Sequence, residues 1–156
     1  MKKLIIIRGP LGVGKSTVSK LLVKNLNAEY LSLDTIIKEN NLDGSDGISL
    51  ENFLKSNEII SNLINDVEKT CVIDGCFYYQ EQIDDLQQKF GNSIIVFTLT
   101  TNVEKCIERD SKREKVYGED AARFVYMITT KIKTGYEIDN SNLSVEETVD
   151  KIMEIL

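Results

Sequence analysis

The chain has 156 residues, a net charge of −6 and no histidine. Its length suits a single domain with a sizeable core, and its acidic balance argues against non-specific binding of nucleic acid, which depends on Lys and Arg. Three cysteines, Cys71, Cys76 and Cys106, lack the C-x-x-C spacing of a zinc site or a redox pair. The sequence contains no recognisable signal peptide and no apolar run of membrane-spanning length. We therefore expect one domain over residues 1–156 of a cytoplasmic protein, without a membrane partner.

Short apolar runs alternate with stretches of helical spacing along the chain. The runs predict five strands, at residues 3–8, 29–33, 70–74, 93–99 and 136–139. Two capping-box patterns, Thr101-x-x-Glu104 and Ser144-x-x-Glu147, predict the starts of two helices. Such alternation predicts an α/β fold with three layers and a mainly parallel five-stranded sheet. Ligands of these sheets bind beyond the carboxyl ends of the strands, so the residues after each strand are the functional candidates.

The first predicted strand leads into Gly-Pro-Leu-Gly-Val-Gly-Lys-Ser, which matches the pattern G-x-x-x-x-G-K-[ST], and a helical pattern follows it. Glycines let backbone N–H groups surround a polyphosphate, Lys15 reaches the outer phosphates, and the Ser16 hydroxyl is a ligand for Mg²⁺. The sequence therefore predicts a nucleoside triphosphate site with Mg²⁺, and the choice between ATP and GTP stays open at this point. Its nucleotide-binding residues are Gly9, Pro10, Leu11, Gly12, Val13, Gly14, Lys15, Ser16 and Thr17, a phosphate loop over residues 9–17.

Two aspartates come at the ends of predicted strands, Asp34 after the second and Asp74 after the third. Because the chain has no histidine, the base that accepts a proton from an attacking hydroxyl must be a carboxylate, a lysine, a tyrosine or a positioned water. We expect Asp34 to orient or deprotonate the acceptor, and either aspartate to hold Mg²⁺ together with Ser16. Two alternatives stay open: the aspartates exchange these roles, or each only caps a helix.

A polar, glycine-rich loop at residues 41–47 and a helical pattern at about 49–69 separate the second and third predicted strands. We expect the segment at about 35–69 to be an insertion on the acceptor side of the site, and an ordinary polar turn is the alternative for its loop. Tyr78 and Tyr79 follow Asp74, where they either contact the acceptor or simply begin a helix.

Positive charge is concentrated at residues 109–123, which we expect to form a basic helical lid. Arg109 and Arg113 are spaced i, i+4 and are predicted to share one helix face. Guanidinium groups suit the spread negative charge of a phosphoryl transition state, so both arginines are candidate catalytic residues and Arg109 is also a nucleotide contact. The alternative is a solvated surface helix in which Asp110 and Glu114 pair with these cations.

Together these motifs resemble the small P-loop kinases of the adenylate, shikimate and gluconate kinase group, over essentially the whole chain. The stretch from Cys106 to Arg113 is also similar to the one that opens the lid in kinases of the polynucleotide 5′-kinase, chloramphenicol phosphotransferase and zeta-toxin type. The resemblance implies a P-loop NTPase fold. It also implies an adenine pocket at the turn after the last strand, where Asn140 would contact the base.

The sequence departs from adenylate kinases at the acceptor side. Ile73-Asp74-Gly75-Cys76-Phe77 is similar to their Asp-Gly-Phe-Pro-Arg segment, but the proline and the arginine are missing. No arginine lies between Gly9 and Glu108, where a nucleoside monophosphate kinase would clamp the acceptor phosphate. We therefore expect an ATP-dependent kinase that phosphorylates a hydroxyl of a small molecule or of a nucleic-acid 5′ end. A nucleoside monophosphate kinase and a regulatory module with slow ATP hydrolysis stay open as alternatives, and the acceptor and the oligomeric state stay unassigned.

Overall fold

The structure is a computed structural model that describes residues 2–156; Met1, which the predicted domain includes, lies outside the described residues. Its strands are β1 (Leu4–Arg8), β2 (Glu29–Ser32), β3 (Cys71–Gly75), β4 (Ile94–Thr100) and β5 (Tyr136–Asp139). Its helices are α1 (Lys15–Leu26), α2 (Leu33–Glu39), α3 (Leu50–Asn65), α4 (Gln80–Phe90), α5 (Val103–Ser111), α6 (Glu119–Thr130) and α7 (Val145–Ile155). No helix in this part of the chain has the length and apolar character needed to cross a membrane.

The five strands form one sheet in the order β2-β3-β1-β4-β5, and every pairing is parallel. The central strand β1 is buried along its whole length, between β3 and β4. A strand that is buried on both faces has no solvent-facing side chains, which explains the uninterrupted apolar run Leu4–Ile7. The predicted α/β fold with a parallel five-stranded sheet is confirmed.

Helices cover both faces of the sheet, because successive side chains of a strand point to opposite sides. The face that packs against α1 and α7 carries Ile5, Ile7, Val72, Phe97 and Leu99. The face that packs against α2, α3 and α4 carries Leu4, Ile6, Ile73 and Val96. Asp74 pairs in register with Ile7 and therefore lies on the α1 face. Because α1 begins at Lys15, this register brings Asp74 towards the end of the phosphate loop.

One of the two predicted capping boxes is confirmed. The Ser144 hydroxyl accepts a hydrogen bond from the N–H of Glu147, and the Glu147 carboxylate accepts one from the N–H of Ser144. The box predicted at Thr101 is wrong: α5 begins one residue later, because the side chain of Asn102 accepts a hydrogen bond from the N–H of Lys105. Asparagine is as good an N-cap as threonine or better, and it takes the position here.

Candidate functional site

The phosphate loop between β1 and α1 is packed tightly against α5. Gly12 has φ +78, and a Cβ atom there would lie 2.2 Å from the carbonyl oxygen of Cys106. Only glycine combines this backbone conformation with so close an approach. The conformation of the loop is therefore fixed by the helix that carries Arg109.

The carbonyl oxygen of Val13 joins the loop to two distant parts of the chain. It accepts hydrogen bonds from Nη1 of Arg109 at 3.2 Å and from Nδ2 of Asn140 at 2.8 Å. Asn140 is buried, and its Oδ1 has no hydrogen-bond partner within residues 2–156. The side chain of Asn140, predicted to contact the base, therefore holds the phosphate loop. Asn140 also lines a cavity beside this loop.

A cavity of about 340 Å³ opens between the phosphate loop, the end of α5 and the start of α7. Its walls are formed by Gly12, Val13, Gly14, Lys15, Ser16, Thr17, Val18, Arg109, Arg113, Asn140, Val145 and Thr148. Of the predicted nucleotide-binding residues, Gly9, Pro10 and Leu11 are not in the wall. Asp34 and Asp74 are not in the wall either.

Lys15 connects the cavity with Asp74. The residue lines the cavity wall, and its ammonium group donates a hydrogen bond to the carbonyl oxygen of Pro10 at 2.8 Å. Its positive charge lowers the pKa of the buried carboxyl of Asp74 and of the Cys76 thiol, although burial raises both pKa values more strongly. Lys15 therefore lines the cavity, and its charge also acts on two buried groups at the end of β3, Asp74 and Cys76.

Asp74 is a buried carboxyl, with 4% of its surface exposed. Burial raises the pKa of Asp74 above its ordinary value, and the charge of Asp34 adds to this effect. Hydrogen bonding to Tyr30 and the hydroxyl of Ser16 act in the opposite direction, since both favour the ionised form. The Tyr30 hydroxyl donates to Oδ2 of Asp74 at 2.9 Å, and burial beside this carboxylate raises the pKa of Tyr30 to about 12.

Asp34 is not the N-cap of α2, so that alternative is wrong. The cap is Ser32, whose hydroxyl accepts a hydrogen bond from the N–H of Thr35 at 3.3 Å. Asp34 is exposed in the first turn of the helix. Burial is the main reason that the pKa values of Asp74 and Tyr78 are raised, and the negative charge of Asp34 adds to this effect.

The two lid arginines line the same cavity but do not share a helix face as predicted. Helix α5 ends at Ser111, so Arg113 lies in the following loop. That loop is folded by Asp110, whose Oδ2 accepts hydrogen bonds from the N–H groups of Tyr117 at 3.1 Å and Gly118 at 2.9 Å. The guanidinium of Arg113 lies 5.5 Å from the centre of the Tyr117 ring.

The predicted alternative of surface charge pairing holds in part for Arg113, whose Nη1 lies 3.9 Å from Oδ1 of the buried Asp110, and it also describes a third arginine of this segment. Arg123, on α6, pairs with Glu104 at 3.1 Å and with Glu119 at 2.9 Å, and all three side chains are exposed. Exposed pairs of this kind contribute little to stability. Arg123 therefore differs from Arg109 and Arg113, which the structure places in the cavity wall.

On the other side of β3, aromatic side chains pack against α3. The ring of Phe53 lies 5.4 Å from the ring of Tyr78 and 5.7 Å from the ring of Tyr79, edge to face in both cases. Tyr79 is the residue that precedes α4, as the helix-start alternative for these tyrosines predicts. Tyr78 is half-buried, and burial raises its pKa well above the ordinary range of a phenol.

The sequence analysis missed Arg8, the last residue of β1. Its side chain is fully buried and donates hydrogen bonds to Thr98 Oγ1 at 3.1 Å and to the carbonyl oxygens of Phe77 at 3.4 Å, Thr129 at 2.8 Å and Ile132 at 3.3 Å. Burial lowers the pKa of Arg8 to about 10, since no carboxylate accompanies it. In the sequence, the only sign of this role is a cation at the end of an apolar run.

The residues beside Lys15 have the chemistry of a magnesium site completed by phosphate. Mg²⁺ prefers oxygen ligands and is usually held by one or two carboxylates together with substrate phosphates and water. Ser16 and Asp74 supply a hydroxyl and a carboxylate next to each other. Residues 2–156 contain no cluster of three acidic or thiol side chains that would form a metal cage from protein alone. The donors present therefore suit Mg²⁺ bound with a nucleotide.

Comparisons with known proteins give a consistent group of relatives. The family described as "AAA domain" matches residues 4–127. A protein named "Putative adenylate kinase" from Thermococcus gammatolerans is 30% identical over 162 aligned positions, covering 98% of this chain and 85% of that protein. A shikimate kinase from Haemophilus influenzae is 29% identical, covering 97% and 88%. The structure of a gluconokinase from Sinorhizobium meliloti has the same fold, with a TM-score of 0.76, 15% identity and coverage of 97% and 90%.

The raised pKa of Asp74 predicts an effect on stability. Folding favours the protonated form, so the ionised carboxylate lowers the free energy of unfolding at pH 7, and this cost disappears as the pH falls below the unfolded pKa. We expect Asp74→Asn, without metal or nucleotide, to melt at a temperature equal to or above that of the wild type at pH 7. The difference should shrink towards pH 4 in thermal melts followed by circular dichroism.

Asp43→Asn, at an exposed loop position, is the control and should melt as the wild type at both pH values. A clear loss of stability in Asp74→Asn at pH 7 would contradict the proposed cost of the buried charge.

Proposed function

The chain belongs to the AAA domain family, in the group of small P-loop kinases, and we propose that it transfers the γ-phosphoryl group of ATP to a hydroxyl acceptor. The observation that carries this proposal is Lys15, which lines the nucleotide-sized cavity and whose charge also acts on Asp74. A phosphate bound at Lys15 would meet the cavity on one side and the aspartates on the other. This is the arrangement that phosphoryl transfer between two substrates requires.

The nucleotide is assigned to the cavity. The N–H groups of the phosphate loop and the Lys15 ammonium bind its phosphates. Ser16 and Asp74 would hold Mg²⁺. When bound, the metal ion neutralises charge on the β- and γ-phosphates. The ribose and base extend towards Asn140 and α7, whose residues Val145 and Thr148 form the far wall.

We assign proton acceptance to Asp34. Two observations support this role: Asp34 is exposed, so substrate can reach it, and its negative charge adds to the effect of burial on the pKa values of Asp74 and Tyr78. Asp74 is less accessible to an acceptor, because it is buried and one of its oxygens accepts the hydrogen bond of Tyr30. The difference in exposure supports Asp34 as the proton acceptor and Asp74 as the metal ligand, which is one of the two assignments that the sequence leaves open.

Arg109 and Arg113 are assigned to the transition state. Both line the cavity from the end of α5 and the loop after it. The hydrogen bond from Arg109 to the Val13 carbonyl holds its guanidinium at the phosphate loop. A planar guanidinium stabilises charge that spreads over the equatorial oxygens during transfer.

The acceptor is proposed to present a hydroxyl rather than a phosphate. Recognition of a second phosphate group favours arginine. Outside the segment after β4, the chain has one arginine, Arg8, and its guanidinium is buried and bonded to neutral oxygens. The side chains on which the charge of Asp34 acts are instead a carboxylate and a phenol, Asp74 and Tyr78. A small hydroxylated molecule suits this surface, and a nucleic-acid 5′ end is the other source of the same group.

A nucleoside monophosphate kinase is the second candidate, because the relative with 30% identity bears the name of an adenylate kinase. The two candidates differ in the acceptor. We expect that a pool of metabolites, nucleoside monophosphates and 5′-hydroxyl oligonucleotides, incubated with γ-labelled ATP and Mg²⁺, will yield a labelled phosphate ester of a small molecule. A labelled nucleoside diphosphate would establish the second candidate. ATP binding with no labelled product in any pool would favour the regulatory module.

Lys15→Ala should lower turnover by about 10²–10³-fold, the range for removing one group that stabilises charge in a transition state. Because Lys15 lies at the ligand-facing start of α1, the melting temperature without nucleotide should change little. The control is Lys20→Ala, an exposed lysine on the same helix. Near-normal turnover in Lys15→Ala would rule out the proposed kinase site.

Asp34→Asn should lower turnover by about 10²–10⁴-fold, the range for losing a positioned proton acceptor. Since Ser32 caps α2, stability should be nearly unchanged, and the KM for ATP should change far less than kcat. Glu39→Gln, at the end of the same helix, is the matched control. Normal turnover in Asp34→Asn would move the base to Asp74 or to a water.

Replacing the lid arginines by lysine keeps the charge and removes the planar fork. We expect Arg109→Lys and Arg113→Lys each to lower kcat by about tenfold or more, with a smaller change in ATP affinity. Arg123→Lys, whose guanidinium pairs with Glu104 and Glu119, is the control and should be neutral. If all three variants behave alike in steady-state kinetics, the surface-charge alternative is correct.

A further inference from the structure

Tyr30 lies on β2, at the edge of the sheet. The register pairs Tyr30 with Val72 and Ser32 with Asp74. In a parallel pair, residues in register point to the same face, so Tyr30 lies on the α1 face together with Asp74. Its ring therefore extends along the sheet towards the carboxyl end of β3, where the phosphate loop and α1 meet.

The phenol hydroxyl interacts there with Asp74, and also with the hydroxyls of Ser16 and Ser32. It donates a hydrogen bond of 2.9 Å to Oδ2 of Asp74, across 44 positions of sequence. This bond occupies one carboxylate oxygen and restricts rotation of the carboxyl group. The other oxygen, Oδ1, is left as the atom available to a metal ion or to a water bound to it.

We propose that Tyr30 is a positioning residue that orients Asp74 towards the Mg²⁺ of the nucleotide complex, an inference that rests on the proposed function. A carboxylate that binds a metal needs a partner for its second oxygen, because a freely rotating group spends little time in the binding orientation. Phenylalanine would fill the same space on the edge strand, so the hydroxyl is the part of Tyr30 that this role requires.

A purely structural role makes a different prediction. If the phenol only satisfied a buried carboxylate, its removal would change the melting temperature and leave metal affinity unaltered. Metal affinity measured apart from turnover therefore separates the two roles.

The probe is Mn²⁺, whose free concentration is measured by electron paramagnetic resonance in the presence of saturating ADP. We expect Tyr30→Phe to bind Mn²⁺ about tenfold more weakly than the wild type, at the low end of the effect of removing such a partner. Tyr126→Phe is the matched control, since the hydroxyl of this half-buried tyrosine donates to the carbonyl oxygen of Thr101 at 3.0 Å, on the lid helix α6. It should bind Mn²⁺ as the wild type does.

Two further measurements sharpen the result. In Tyr30→Phe, the rise in melting temperature caused by ADP with a chelator should persist, while the additional rise caused by Mg²⁺ should shrink. In an Asp74→Asn background, Tyr30→Phe should cause no further loss of Mn²⁺ affinity, because the phenol acts through the carboxylate.

Unchanged Mn²⁺ affinity in Tyr30→Phe, or a full additional loss in the double variant, would overturn the proposal. If the wild type with ADP binds no Mn²⁺ at all, the proposed function fails, and the inference fails with it. Weaker Mn²⁺ binding in Tyr30→Phe alone, with the control unchanged, supports it.

Discussion

The buried guanidinium of Arg8 is the constraint on which the arrangement of the site depends. A buried cation without a carboxylate is costly unless other oxygen atoms accept its hydrogen bonds. Here the acceptors come from β4, from the segment after β3 and from the end of α6, through Thr98, Phe77, Thr129 and Ile132. These segments must therefore meet directly beneath the phosphate loop. This contact fixes the carboxyl end of α6, while Arg113, in the loop that precedes α6, remains partly exposed.

The charged form of Asp74 lowers the stability of the unliganded protein, and the same charged form is the one that the proposed metal site requires. Burial raises the pKa of Asp74 and disfavours the charged form that a metal ion requires. Three features act against this cost: the Tyr30 hydrogen bond, the nearby Ser16 hydroxyl and the charge of Lys15. The same groups are the ones assigned to metal and phosphate. The carboxylate is thus kept ready for a cation at the expense of the unliganded protein, as is common where an active site is built into a core.

Local patterns predicted the fold and the phosphate loop, because strand burial, glycine spacing and the helix that follows are all short-range features. Boundaries that depend on competing caps were less accurate: Ser32 caps α2 in place of Asp34, and α5 ends before Arg113. The contacts of Tyr30 and Arg8 join residues 44 to 124 positions apart. Single-sequence patterns carry no information about such pairs, since strand register and helix docking bring them together.

The distribution of arginine explains why the acceptor side is best read as a hydroxyl site. The lid supplies Arg109 and Arg113 to the nucleotide cavity, and Arg123 is neutralised by two glutamates. Arg8 is bonded to neutral oxygens, so the proposed roles of the other arginines leave no guanidinium for an anionic acceptor. A second phosphate placed beside Asp34 and Asp74 would face two carboxylates, which like-charge repulsion disfavours. A neutral hydroxyl avoids that repulsion and can donate its proton to Asp34 as it attacks.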